Sequence, residues 1–96
     1  MSAYYIAQMT IKDEQRYVSL RTRSTELIKK FNGTVLAADS NYIVAAGELD
    51  ASRVIIIEFP SEDDFNAFYY SPEYEEQKII IREAAETTIL LVHGVE

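Results

Sequence analysis

The segment Arg53–Tyr74 constrains the fold more than any other part of the chain, because it joins a strand, a turn and a capped helix without a gap. Residues 54–59 are rich in β-branched side chains and are apolar at both alternating sets of positions until Glu58, which predicts a strand with two apolar faces. Pro60 ends the strand, since it has no backbone N–H. Ser61 is a good N-cap for a helix with acidic side chains in its first turn. The segment therefore predicts a buried strand followed at once by a helix.

The remaining periodicities predict the order β-α-β-β-α-β. Before the segment, the pattern gives a strand at Tyr4–Ile11, a helix capped by Asp13 and ended by Gly33 as its left-handed residue, and an extended region at 34–47 that is one bent strand or a short hairpin. After it come two helical pieces that meet at Ser71-Pro72, the second running to about Ala85, and a strand at Thr87–Val95. This order is typical of an α+β, ferredoxin-like sandwich with helices on one face of a four-stranded sheet.

Helices on one face leave the other face of such a sheet uncovered, yet two of the predicted strands are apolar on both sides. In the first of these strands, Ile55 and Ile57 lie on one face and Val54 and Ile56 on the other. In the second, Ile89 and Leu91 lie on one face and Leu90 and Val92 on the other. Burying one such side chain contributes roughly 1.5–3 kcal/mol, whereas a whole domain is stable by only about 5–15 kcal/mol. The sequence therefore predicts a homodimer formed through the face that the helices do not cover.

Composition excludes several classes of function. The chain has 96 residues, enough for one domain (1–96), and carries 16 acidic against 9 basic residues, which opposes nucleic-acid binding. One histidine and no cysteine supply no zinc ligand set, and the three scattered glycines form no phosphate-binding loop, so we expect neither metal nor cofactor. No apolar stretch approaches the ~20 residues that span a bilayer, and no signal peptide is apparent. We expect a soluble, cytoplasmic protein that does not bind membranes.

The best candidate ligand site consists of Tyr69, Tyr74 and Arg82, with Ser71 beside them. Tyr74 and Arg82 are eight residues apart and share one helical stripe, while Tyr69 immediately precedes the helix break. A guanidinium with two phenols can hold a small carboxylate or enolate. The alternative is that the tyrosines pack in the core and that Arg82 pairs with neighbouring Glu83 or Glu86.

Two further side chains are candidates for catalysis. His93 is the one side chain whose unperturbed pKa lies near neutrality, although a lone histidine at a strand end is usually an ordinary polar residue. Glu58 interrupts an apolar strand and can pair with an arginine or become desolvated there; alternatively it reaches solvent from the strand end. Arg53 and Glu48 flank the preceding turn, where an exposed ion pair is expected.

The chain resembles the "domain of unknown function 1330" family over nearly its whole length. The resemblance lies in Glu58-Phe59-Pro60-Ser61, Ala67-Phe68-Tyr69, Ser71-Pro72-Glu73-Tyr74, Arg82 with Ala84-Ala85, and the glycines of Asn32-Gly33, Gly47-Glu48 and Gly94-Val95. It implies a dimeric α+β barrel whose activity is unassigned. Leu49 and His93 depart from the aromatic and the carboxylate that the family often has at those positions. The wider superfamily includes cofactor-free oxygenases, isomerases and haem enzymes, and a reaction carried over from the fold is analogy.

Three functions are compatible with these observations. The first is a metal-free and cofactor-free enzyme that acts on a small organic acid or an oxygenated aromatic compound, with Arg82 holding the anion. The second is a non-catalytic dimer that binds a small ligand in the same site. The third is a structural or interaction domain that has no ligand.

Overall fold

The computed structural model describes residues 1–95, which form a four-stranded sheet with three helices packed on one face. The elements are β1 (Ala3–Ile11), α1 (Glu14–Lys30), β2 (Thr34–Asp39), β3 (Arg53–Phe59), α2 (Glu62–Tyr69), α3 (Pro72–Ala84) and β4 (Ala85–His93). The strand order is β2-β3-β1-β4 and every neighbouring pair is antiparallel. The predicted α+β, ferredoxin-like fold is confirmed.

The alternation of side chains along the strands divides the sheet as the sequence predicts. One face of β1 is fully buried beneath the helices through Ala3, Tyr5, Ala7 and Met9. The antiparallel register sets Tyr5 between Ile57 and Leu91 on this face. The same register sets Ile6 between Ile56 and Leu90 on the opposite face, which no helix covers. We call this second surface the open face.

The core beneath the helices is built on aromatic rings. Phe59 of β3 and Phe68 of α2 are the largest fully buried side chains, and their ring centres are 5.3 Å apart. Phe68 also lies 4.3 Å from the ring of Tyr74 on α3. Ring pairs at such distances add about 0.5–1.5 kcal/mol to the area that they bury. The core therefore joins the middle of the sheet to both α2 and α3.

The end of α1 differs from the prediction in one detail. The left-handed residue is Asn32, with a φ of 68°, and not Gly33. Their amides bond back to Lys29 at 3.0 Å and Ile28 at 2.8 Å, which is the Schellman pattern with Asn32 at C′. Gly33 is required for space, because a Cβ there would lie 2.7 Å from Cγ2 of Ile28 and 2.8 Å from Cε1 of Phe59.

The extended region at 34–47 is neither a bent strand nor a hairpin. Only Thr34–Asp39 is a strand, with an irregularity between Val35 and Ala37, and residues 40–52 form a loop. The hydroxyl of Tyr42 holds this loop by donating to the carbonyl of Ala51 at 2.7 Å and accepting its N–H at 3.0 Å. The prediction of a second extended segment was wrong because the apolar run is exposed and packs on no strand; Ile43 is 91% exposed.

The helix break at Ser71-Pro72 is confirmed. The Ser71 hydroxyl accepts the N–H of Tyr74 at 3.1 Å and donates to the carbonyl of Phe68 at 2.8 Å, so one side chain ends α2 and caps α3. Pro72 occupies the start of α3, where a missing N–H costs nothing. None of the helices within residues 1–95 is long and apolar enough to cross a membrane.

Candidate functional site

Tyr69, Tyr74 and Arg82 line one cleft, so the structure brings together three of the residues that the sequence singled out. The cleft has a volume of about 150 Å³ and lies between α3 and the first half of β4. We call it the α3–β4 cleft. Its other walls come from Lys78, Ile81, Ala85, Thr87 and Ile89. The surface is thus made of phenol rings, two cationic side chains and aliphatic groups.

The two cations of the cleft are held differently. The ammonium of Lys78 lies 3.7 Å from the centre of the Tyr69 ring and 2.9 Å from a carboxylate oxygen of Glu75. Arg82 forms no ion pair with any residue of the described range 1–95. The neighbouring acids that could have neutralised it have other partners. Glu83 pairs with Arg16, and Glu86 pairs with Lys12 at 2.6 Å. The guanidinium is therefore available to an anion from outside the chain.

Thr87 adds an unsatisfied polar atom to the same cleft. Its Oγ1 is buried and has no hydrogen-bond partner among residues 1–95. A buried hydroxyl without a partner costs about 1–3 kcal/mol of desolvation. A ligand oxygen in the cleft can remove that cost, and nothing in the sequence marked Thr87 as a site residue.

Ser71 does not line the cleft. Its hydroxyl is buried and both of its hydrogen bonds serve the junction between α2 and α3. The structure gives it a positioning role, since the cap fixes where α3 begins and so where Tyr74 points.

His93 and Glu58 lie away from the cleft and from each other. His93 is exposed at the far end of β4 and its Nε2 contacts the carboxylate of Glu62 at the start of α2. It is six residues from Thr87, or about 20 Å along the strand. Glu58 lies on the open face, where it accepts a hydrogen bond from the Tyr4 hydroxyl at 3.1 Å. The three candidates for a catalytic role, Arg82, His93 and Glu58, therefore occupy three separate places.

A larger cavity, with a volume of about 240 Å³, lies between α1 and the sheet. We call it the inner cavity. Aliphatic and aromatic side chains form most of its wall, and its polar groups include Arg21, Ser24 and Arg53. Arg53 does not pair with Glu48 as expected; its Nη1 donates to Ser40 at 2.9 Å. No pattern in the sequence indicates this cavity, because its existence depends on how closely α1 packs on the sheet.

Tyr74 lines both the cleft and the inner cavity, and its hydroxyl lies 3.2 Å from that of Tyr5 in a buried phenol pair. Burial raises the pKa of Tyr74, and burial together with the neighbouring Tyr74 raises the pKa of Tyr5 well above its ordinary value. Both phenols are therefore protonated at neutral pH. They serve as hydrogen-bond donors and not as bases.

Within residues 1–95, no three side chains of the types His, Asp and Glu are grouped so as to hold an ion. The described residues form a small ferredoxin-like α+β protein with two cavities, the α3–β4 cleft and the inner cavity.

The comparison with known families agrees with the sequence. Residues 2–95 match the family described as "Domain of unknown function (DUF1330)", and the chain belongs to that family. The resemblance stated from the motifs is thereby confirmed. None of the curated proteins compared with the chain matches it.

Solved structures share the fold at low sequence identity. A protein of unknown function from Rhodopseudomonas palustris has a TM-score of 0.78 at 16% identity, with 99% of this chain and 83% of that chain covered. SnoaB, a cofactor-independent oxygenase from Streptomyces nogalater, has a TM-score of 0.72 at 14% identity, with 99% and 94% covered. A dimeric ferredoxin-like protein of unknown function from Thermobifida fusca has a TM-score of 0.60 at 16% identity, with 98% and 92% covered. These likenesses show the fold.

Proposed function

We propose that the protein is a homodimer that binds a small organic acid in the α3–β4 cleft and acts on it without metal or organic cofactor. The observation that carries the proposal is the state of Arg82. In a chain with 16 acidic residues, this arginine lies in a cleft and has no acidic partner within residues 1–95.

The lining of the cleft suits a carboxylate attached to a compact organic group. A guanidinium binds a carboxylate through two parallel hydrogen bonds, and the ammonium of Lys78 adds a second positive charge. The Thr87 hydroxyl gains a partner when a ligand oxygen approaches it. The ring of Tyr69 and the side chain of Ile89 provide apolar contact. The volume of about 150 Å³ limits the ligand to a small acid.

Dimerisation through the open face is the second part of the proposal. Leu90 and Val92 of β4 are 47% and 42% exposed, and Ile6, Val54 and Ile56 lie half-buried beside them. A contiguous apolar surface of this kind marks an interaction site. A second copy of the chain presents the same surface, and the dimeric relative from Thermobifida fusca supports this occupant. We place the dimer in the cytoplasm, because a chain without cysteine forms no disulfides and so needs no oxidising compartment.

A non-catalytic binding protein is the alternative, and one observation favours it. No carboxylate or imidazole lines the cleft within residues 1–95, so the side chains that most often act as general bases are missing from its described wall. The existence of a cofactor-independent oxygenase with this fold supports the enzyme instead. Incubating the dimer with a bound acid, with air present and excluded, separates the two. An enzyme would convert the acid into a product, whereas a binding protein would return all of the acid chemically unchanged.

We expect Arg82→Gln to reduce stabilisation by small acids to about half of the wild-type value or less. In a thermal-shift screen of pyruvate, malonate and benzoate, an acid present at 100 times its Kd stabilises the wild type by ≈ 2.7 kcal/mol. For a domain of this size that raises Tm by about 10 °C or more. Loss of a charged hydrogen bond costs roughly 1.5–3 kcal/mol, so the variant should bind the same acid at least about tenfold more weakly.

The matched control is Arg23→Gln, which removes the same charge from an exposed position on α1 that lines neither cavity. This variant should keep the full shift in Tm. Equal stabilisation of Arg82→Gln and the wild type by every acid that binds would refute the proposed site.

A further inference from the structure

We infer that the inner cavity is a second ligand site, which takes an oxygenated two-ring aromatic carboxylic acid. The rings would lie among apolar side chains, the carboxylate at Arg53 and Arg21, and a hydroxyl or keto oxygen at the Tyr5–Tyr74 pair. The site is separate from the α3–β4 cleft, and its test does not depend on whether a small acid occupies that cleft.

The volume of the inner cavity is the first reason. Protein interiors are packed so closely that voids larger than a water molecule are few. Pockets for drug-sized ligands have volumes of about 300–1,000 Å³, so a cavity of about 240 Å³ suits a smaller molecule of one or two rings. Ile28, Ile55, Ile57 and Phe68 contribute the apolar wall on which such rings can pack.

The arginines at one end of the cavity supply the recognition of an anion. The Nε of Arg53 is buried and has no hydrogen-bond partner among the described residues, and only its Nη1 is bound, to Ser40. Arg21 lies on the cavity wall from α1 and is exposed. Neither arginine forms an ion pair within residues 1–95. A ligand carboxylate would give the buried nitrogen a partner and neutralise one of the two positive charges.

The phenol pair supplies the recognition of a second oxygen. Only one of the two hydroxyls can donate to the other, so the second O–H remains free to donate to a ligand. Arg53 of β3 pairs with Met9 of β1, and Met9 is four residues along β1 from Tyr5. The backbone positions of Arg53 and Tyr5 are therefore about 13 Å apart along the strand direction. A two-ring acid with its second oxygen at the opposite end suits that span, once the side chains of Arg53 and Tyr5 reach inward.

The cavity opens between α1 and β2. Arg21 and Thr25 on the helix and Val35 and Ala38 on the strand line it and are all exposed. The mouth is therefore on the surface of a single chain, on the helix-bearing side of the sheet and not on the open face. A ligand can enter without separation of the elements that form the core.

The test is a fluorescence titration of 6-hydroxy-2-naphthoate into the full chain. We expect saturable binding with one molecule per chain, weakened about tenfold or more by Arg53→Gln and by Arg21→Gln. Ala38→Phe fills the mouth and should abolish binding while leaving both arginines in place. 2-Naphthoate, which lacks the hydroxyl, should bind several-fold more weakly. Arg23→Gln is the control for lost charge, and the melting temperature of each variant shows whether it is folded.

Three results would overturn the inference. The first is no saturable binding to the wild type. The second is unchanged binding to folded Ala38→Phe, which would locate the ligand elsewhere. The third is loss of naphthoate binding in Arg82→Gln with Arg53→Gln unaffected, which would assign the acid to the α3–β4 cleft. Unaltered binding to Arg82→Gln together with loss in Ala38→Phe supports the second site even if no small acid occupies the cleft.

Discussion

Leu90→Asp is expected to convert the proposed dimer into a monomer. Leu90 lies on the open face midway along the edge strand β4, in register with Ile6, which in turn is paired with Ile56. In a two-fold dimer each substitution places two aspartates in one interface. An unpaired charge buried in such a surface costs several kcal/mol, so the dissociation constant should rise by about 100-fold or more. Sedimentation velocity at micromolar concentration measures the change directly.

The control for this substitution is Ile79→Asp. Ile79 is 57% exposed on α3, so the same change of side chain there leaves the open face intact and should leave the dimer intact. A monomeric wild type at micromolar concentration would contradict the dimer outright. A Leu90→Asp variant that sediments as a dimer would show that the chains associate through another surface.

Phe68→Ala should remove a large part of the stability of the fold. The ring is fully buried and packs on Phe59, Tyr74 and Tyr5 at once, so its loss leaves a cavity at the junction of the sheet with α2 and α3. Such substitutions cost about 3–5 kcal/mol, against a total of about 5–15 kcal/mol for a typical domain. Urea unfolding of both proteins at one fixed protein concentration gives the difference, since dimerisation makes stability concentration-dependent.

Tyr70→Ala provides the comparison. Tyr70 ends α2 two residues later but is 66% exposed, so removing its ring should cost well under half of the loss at Phe68. A loss below about 1 kcal/mol for Phe68→Ala, inside the range of ordinary surface changes, would show that the aromatic cluster does not organise the core.

The features that the sequence predicted correctly are local or periodic. Asp13, Ser61 and Ser71 cap helices because each side chain accepts a hydrogen bond from the backbone N–H three residues later. Both partners of each bond are thus close together in the sequence. The two faces of β1 follow from alternation alone, as shown by buried Tyr5 beside half-buried Ile6. Tyr69, Tyr74 and Arg82 converge because α3 begins at a break that the proline specifies.

The features that it missed depend on contacts between distant elements. The inner cavity exists only once α1 is placed over β1 and β3. The His93 contact with Glu62 joins a strand end to a helix start 31 residues away. The loop at 40–52 has apolar residues without a strand partner, which a pattern of hydrophobicity cannot distinguish from an edge strand. At the end of α1, choosing between Asn32 and Gly33 as the left-handed residue required knowing that Phe59 crowds Gly33.

The most direct test of the Arg82 site is to observe its guanidinium by nuclear magnetic resonance while a small acid binds. The Nε–Hε signal of Arg82, assigned through its absence from the spectrum of Arg82→Gln, should shift progressively and saturate with the acid that gives the largest thermal shift. The corresponding signal of Arg23 should stay in place, since that side chain lines neither cavity. Saturable binding of the acid with the Arg82 signal unmoved would contradict a carboxylate held by this arginine.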